Sequence, residues 1–196
     1  MYATTTSCSV ALAIIVLLVF VLRRHLSALL KDESTLPVPL RSYSLSRSIL
    51  FFWTMVLFLS ICYIGIKTDN LTPIDSGVLI LMGIVVGTAT TGRVIDSSQT
   101  QDPAIIRTQD THQSQGFLLD ILSDGNGVSI SRLQTVIFNI IYGCAFVSLV
   151  ITQEILYNFP TETLTLLGIS SGAYAFMKVP ENKPTPPPPP VNQLQL

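Results

Sequence analysis

Charge is what this sequence has least of. Only 12% of its residues are Asp, Glu, Lys or Arg, about half the 25% or so of a soluble domain. The formal net charge is −1, so no basic surplus points to nucleic acid, whose phosphates are met by clustered cations. There are two histidines and three cysteines, with no Cys/His cluster. A zinc or haem site therefore lacks a ligand set, and no cofactor is expected. Cys8, Cys62 and Cys144 all fall in apolar stretches, where a thiol acts as a small hydrophobe. No Asp, Glu, Lys, Arg or His lies at the centre of any long apolar stretch, although proton relays, gating charges and ion-coupled sites are built on such residues. Intramembrane hydrolysis or acyl transfer would need the same kinds of group at depth. The expectation is a protein that is not an enzyme.

What the sequence has instead is apolar length. Five stretches, Thr4–Leu22, Ser48–Ile66, Asp75–Thr91, Leu133–Thr152 and Thr163–Met177, approach or reach the 20 or so residues a spanning helix needs. The first has no basic residue before it, and Arg23-Arg24 follows it. That is the reverse of a secretory signal and predicts an uncleaved anchor with its N-terminus outside. Alternating the spans from there puts Arg23, Arg24, Lys31, Arg41, Arg47, Arg93, Arg107, Arg132, Lys178 and Lys183 inside and leaves Lys67 outside. A bias that strong follows the positive-inside rule and places the C-terminus in the cytoplasm.

Residues 44–96 and 129–181 align without a gap at an offset of 85. Ser44-Leu45-Ser46-Arg47 returns as Ser129-Ile130-Ser131-Arg132, and the glycine-spaced segment around Gly83 returns around Gly168. Eleven of the 53 pairs are identical, where about four would match by chance in so biased a composition. The expected fold is all-α and membrane-embedded: an anchor (1–25), a linker (26–43), a hairpin (44–96), a second linker (97–128), a second hairpin (129–181) and a tail (182–196). Both hairpins run in, out and back in, so the repeats are expected to share an axis along the membrane normal.

Gly83 and Gly87 form a G-x-x-x-G, as do Gly168 and Gly172. Such spacing opens a groove where another helix can approach. Thr88, Ser170, Ser171 and Tyr174 add hydroxyls on and around these faces. Two readings stand: tight helix packing, or the lining of a pore. Asn139 is the one carboxamide well inside an apolar stretch, and an interhelical hydrogen bond is its expected role. Ser131 with Gln134 has the spacing of a capping box, repeated in part by Ser46. Arg47 and Arg132 follow at headgroup level, as topological charges or as contacts to lipid.

The linker starts polar through Gln99–Gln115, which predicts a mobile segment. It then turns apolar at Phe117, Leu118, Ile121 and Leu122, spaced for a short interfacial amphipathic helix. Asp124-Gly125-Asn126-Gly127 predicts a turn. The run Pro184 to Pro190 has polyproline II composition.

The strings Tyr43-Ser44-Leu45-Ser46-Arg47, Gly116-Phe117-Leu118-Leu119-Asp120-Ile121-Leu122-Ser123-Asp124 and Leu167-Gly168-Ile169-Ser170-Ser171-Gly172-Ala173-Tyr174 carry a resemblance. Over residues 43–181 the chain resembles a group of uncharacterised bacterial integral membrane proteins. Their second half is similar to Phe117–Gln134, Gly168–Tyr174 and Lys178–Glu181 here, with Ala173 in place of the group's usual threonine. The resemblance implies the bacterial cytoplasmic (inner) membrane and no particular chemistry.

Together these features point to a homo-oligomeric membrane assembly, either pore-like (an ion channel) or scaffolding. The alternative is a non-conducting scaffold or sensor subunit that recruits a cytoplasmic partner through 94–133 or 180–196. The bilayer is a partner in both cases.

Overall fold

The computed structural model describes residues 3–102, 105–124 and 126–184. It is 75% helical. In chain order the helices are α1 (Ala3–Leu29), α2 (Leu45–Thr68), α3 (Ser76–Thr100), α4 (Thr108–Thr111), α5 (Phe117–Leu122), α6 (Ile130–Gln153) and α7 (Thr161–Glu181). Two-residue strands form two small antiparallel pairs: β1 (Ile105–Ile106) with β4 (Lys183–Pro184), and β2 (Ser123–Asp124) with β3 (Gly127–Val128).

Among the described residues four helices, α1 over Thr4–Val21, α2, α3 and α6, are long and apolar enough to cross a membrane. That fits an all-α, membrane-embedded protein. The fifth expected span is a helix of 21 residues, α7. Its Glu162, Lys178, Glu181 and many small hydroxylated side chains leave it short of the apolarity of the other four.

The helices run further than the apolar pattern predicts. Instead of stopping at Thr91, α3 continues to Thr100, and α1 passes Arg23-Arg24 to end at Leu29. The starts of α2 and α6, their ends, and the starts of α3 and α7 all recur at the sequence offset of 85. Asp69 and Glu154, at that same offset, both close their helices in the left-handed region, with φ of 53° and 55°. An αL residue just past a helix end turns the chain away. The expected capping box is not formed. The helices begin earlier, with Ser44 and Ser129 at the cap positions and no side-chain capping bond, so Ser46 and Ser131 lie inside the first turn.

Like packs on like. α2 lies against α6 and α3 against α7, and each hairpin closes on itself, so the ring runs α2–α3–α7–α6. Trp53 meets Asn139, and Ile84 meets Gly168, so facing helices are parallel and close to equivalent register. An axis along the membrane normal would set α2 beside α7 and α3 beside α6. The observed ring is instead closer to one hairpin slid sideways onto the other.

The middle of the ring is filled. Trp53, Leu81, Phe146 and Thr135 are fully buried. The loop between α6 and α7 turns inward and sets Phe159 against the Trp53 ring, with centroids 5.9 Å apart, and stacks it on Phe146 at 5.5 Å. Gly77 makes room for that loop: a Cβ there would sit 3.1 Å from the Phe159 backbone nitrogen and 3.2 Å from its carbonyl oxygen. α1 packs chiefly on α2, with the Cys8 Sγ seated against Gly65. Val10, Ile14, Leu17 and Val21 on its other side are exposed, a surface suited to lipid.

The described part of the second linker is folded against the first. The Ser34 hydroxyl donates to the Gln109 carbonyl at 2.6 Å, and the Ser114 amide to the Leu40 carbonyl at 2.9 Å. Asp120 accepts from the Tyr43 amide, the Ser114 hydroxyl and the Gln115 amide. Both linkers and Asn182–Pro184 thus knit into one cap over the end where α2 and α6 begin. In α5, Ile121 is buried while Leu118 is exposed, so the predicted single apolar face is divided between the cap and the outside. The predicted turn joins β2 to β3, with Gly127 at φ 114°. The tail 185–196 lies outside the described residues.

Candidate functional site

Two polar constructions stand out in an otherwise apolar molecule. The first is a buried string across three helices. The indole N–H of Trp53 donates to Asn139 Oδ1 at 2.7 Å, and Asn139 Nδ2 donates to the Thr135 carbonyl at 2.8 Å. The Thr135 hydroxyl lies 2.9 Å from that of Ser170 and also donates to the Ser131 carbonyl at 2.8 Å. An amide or indole N–H left unpaired at this depth would cost about 1–3 kcal/mol. The string therefore selects this arrangement of α2, α6 and α7. Asn139 has the interhelical bond its isolation predicted.

The second construction is an ion cluster beneath the cap. Lys178, on α7, is buried, with its Nζ 2.7 Å from Asp96 Oδ2 on α3 and 3.8 Å from Asp32 Oδ2 on the first linker. The other Asp96 oxygen accepts from Gln109 Nε2 at 2.9 Å. Arg107 donates from Nη1 to the Thr100 hydroxyl at 2.6 Å and grips Asp110 with two bonds, of 2.7 Å and 2.8 Å. Burial alone would raise the Asp110 carboxyl, but this grip and the Thr35 amide hold it below its ordinary value. Asn182 donates to Gln99 Oε1 and accepts from the Thr108 amide at 2.8 Å. The pairing of Asp96 with Lys178 explains why α3 runs past its apolar part. A buried cation at its last turns and a carboxamide on the returning chain hold those polar residues in the helix.

Above this cluster lies a cavity of about 240 Å³. Lys178 and Arg132 line it from the helices, and Asp32, Gln113, Asp120 and Asp124 are among the groups lining it from the linkers. The Arg132 guanidinium lies over the Tyr174 ring, 5.4 Å from its centroid, so these two predicted residues come together. Arg47 instead pairs with Glu33 at 3.2 Å, and Arg93 reaches the same carboxylate.

The glycines predicted as a packing face open outward. A Cβ at Gly83, Gly87 or Gly172 would meet nothing within 4 Å, and at Gly168 only Ile84, at 3.6 Å. With Thr88 and Ser171 they border a groove of about 420 Å³ between α3 and α7. The Thr88 hydroxyl bonds back to the Ile84 carbonyl, and Ser170 is drawn into the buried string. Close glycine contacts lie elsewhere, at Gly65 and Gly77 and at Gly143, which faces the Phe52 ring. Among the described residues no group of three or more His, Cys, Asp or Glu side chains is placed to hold a metal ion.

The residues reasoning from sequence missed are Asp32, Asp96, Gln99, Arg107, Asp110, Lys178 and Asn182. The one available signal was the charged ends Asp96 and Lys178, which close corresponding helices of the two hairpins. No protein-family model, no curated protein and no solved structure matches this chain.

Proposed function

We propose that the chain is a membrane-embedded scaffold of the bacterial cytoplasmic membrane. α7 serves as a fifth span, the N-terminus lies outside and the cap lies in the cytoplasm. It works without a cofactor and without catalysis, and it presents the cap to a soluble partner. The observation that carries this reading is the packing of the bundle interior. Trp53, Phe146 and Phe159 pack on one another inside the ring, with Leu81 and Leu167 also buried, which supports a single copy that does not conduct, while the described parts of the linkers that a mere tether would leave loose are folded into one surface.

A second reading has its own observation. The open glycine faces at Gly83, Gly87 and Gly172 would let copies associate closely, and a pore could then form between copies. Planar-bilayer recording of the purified protein separates the two. Silence from a folded, reconstituted protein is the expected result. Discrete conductance steps that vanish on replacing Gly87 and Gly172 with leucine would transfer the function to an oligomeric channel.

A further inference from the structure

We propose that the cavity beneath the cap binds a zwitterion bearing a phosphate and a primary ammonium, the chemistry of an ethanolamine phospholipid headgroup. The cavity holds both signs of charge. Lys178 and Arg132 lie on its helix side, each almost fully buried, and Asp32 and Asp124 lie on its linker side. Lys178 already shares its charge with Asp96 and Asp32, so the phosphate is assigned to Arg132 on the helix side and the ammonium to Asp124 on the linker side, and a ligand with both signs of charge complements both walls. Guanidinium and ammonium groups are the usual partners of phosphate. The volume of about 240 Å³, the share of about eight waters in the liquid, leaves room for phosphoethanolamine, whose bonded atoms pack more closely than waters do.

The rim indicates a ligand with an apolar continuation. Leu119 and Gly127 line the cavity, and their neighbours Leu118 and Val128 are 67% and 61% exposed, with Ile130 at 83%. Ile130 is also the first residue of α6, one of the helices apolar enough to span. A polar cavity bordered by exposed aliphatic side chains at the start of a spanning helix matches a molecule whose head is charged and whose tail is not. Ser42, Ser123 and Gln113 add hydrogen-bonding groups on the walls.

This inference rests on the membrane-embedded reading, and not on whether the assembly conducts. The test uses the full chain in detergent, stripped of lipid, with bound molecules counted by native mass spectrometry. Phosphatidylethanolamine, phosphatidylglycerol and soluble phosphoethanolamine are added in turn. The expected result is tighter retention of phosphatidylethanolamine than of phosphatidylglycerol, by about tenfold, one decade in Kd. Arg132→Gln should weaken both lipids. Asp124→Asn, a change outside the buried cluster, should weaken phosphatidylethanolamine alone. Competition by soluble phosphoethanolamine would support the zwitterion site and put its source in solution; no competition, with the lipid preference intact, would put the source in the bilayer. Equal retention of both lipids, unchanged in Arg132→Gln and Asp124→Asn, overturns the proposal. Bilayer recordings leave it untouched either way.

Discussion

The indole N–H of Trp53 meets the carboxamide oxygen of Asn139 at 2.7 Å, both side chains buried between α2 and α6. Removing either partner strands the other. Asn139→Leu should lower the unfolding free energy by about 1–2 kcal/mol, the upper end for polar contacts between membrane helices. Trp53→Phe adds the loss of packing volume. In a double-mutant cycle followed by thermal unfolding in mild detergent, the two changes should be less than additive. Full additivity would mean that the bond contributes nothing.

Gly77 faces the Phe159 backbone, and backbone yields less readily than a side-chain tip. Gly77→Ala should therefore push the α6–α7 loop outward and loosen Phe159 from Trp53. The readout is Trp53 fluorescence, which reports this site alone because the chain has one tryptophan. A shift of the emission to the red, with Tm reduced, is expected. Gly87→Ala, which meets nothing, is the control and should leave the spectrum in place.

Lys178 stands between Asp96 and Asp32, so Lys178→Met leaves two carboxylates without their shared cation. Breaking one side of a buried pair costs about 3–5 kcal/mol. Asp96→Asn should be milder, since it keeps the shape and leaves Asp32 beside the lysine. If Lys178→Met melts no earlier than Asp96→Asn, the cluster is wetter than its burial indicates.

Asp69 accepts from the amide and hydroxyl of Thr5, at 2.9 Å and 2.8 Å, and this contact docks the start of α1 on the end of α2. The amide bond, then the hydroxyl bond, hold its carboxyl below the ordinary value of 3.8. A depressed carboxylate stabilises the fold fully above its unfolded pKa, and that contribution is lost as pH falls through the folded one. The difference in Tm between the wild type and Asp69→Asn should thus be constant near neutral pH. It should shrink only as pH falls below the ordinary carboxylate range and through the lowered value of the folded state. A gap that closes between pH 7 and about pH 5 would assign the effect to another group.

The long apolar helices were largely legible because they are written locally. Apolar runs of sufficient length, and the turn residues around Asp124, each act within a few positions, and α2 and α6 follow the apolar runs. Extensions and closures were not legible in that way. Nothing near Asp96 or Gln99 says helix; their partners, Lys178 and Asn182, are more than eighty positions away. The cap was hidden for the same reason. Asp110 is a polar residue in a polar stretch until Thr35 and Arg107 are folded against it. The G-x-x-x-G spacing identified glycines on helix faces, but which face turns outward depends on how α3 meets α7, and that is a property of the bundle.

The parallel pairing of like helices has an electrical consequence. Each helix end carries about half a unit charge, positive at the N-terminus and negative at the C-terminus. Because α2 lies beside α6 and α3 beside α7, two positive ends sit side by side at the capped end, with two negative ends next to them. Antiparallel neighbours would have cancelled this field. Here it runs sideways across the cap, and the buried ammonium of Lys178 lies on its negative side, where the backbone of two helices helps to hold it.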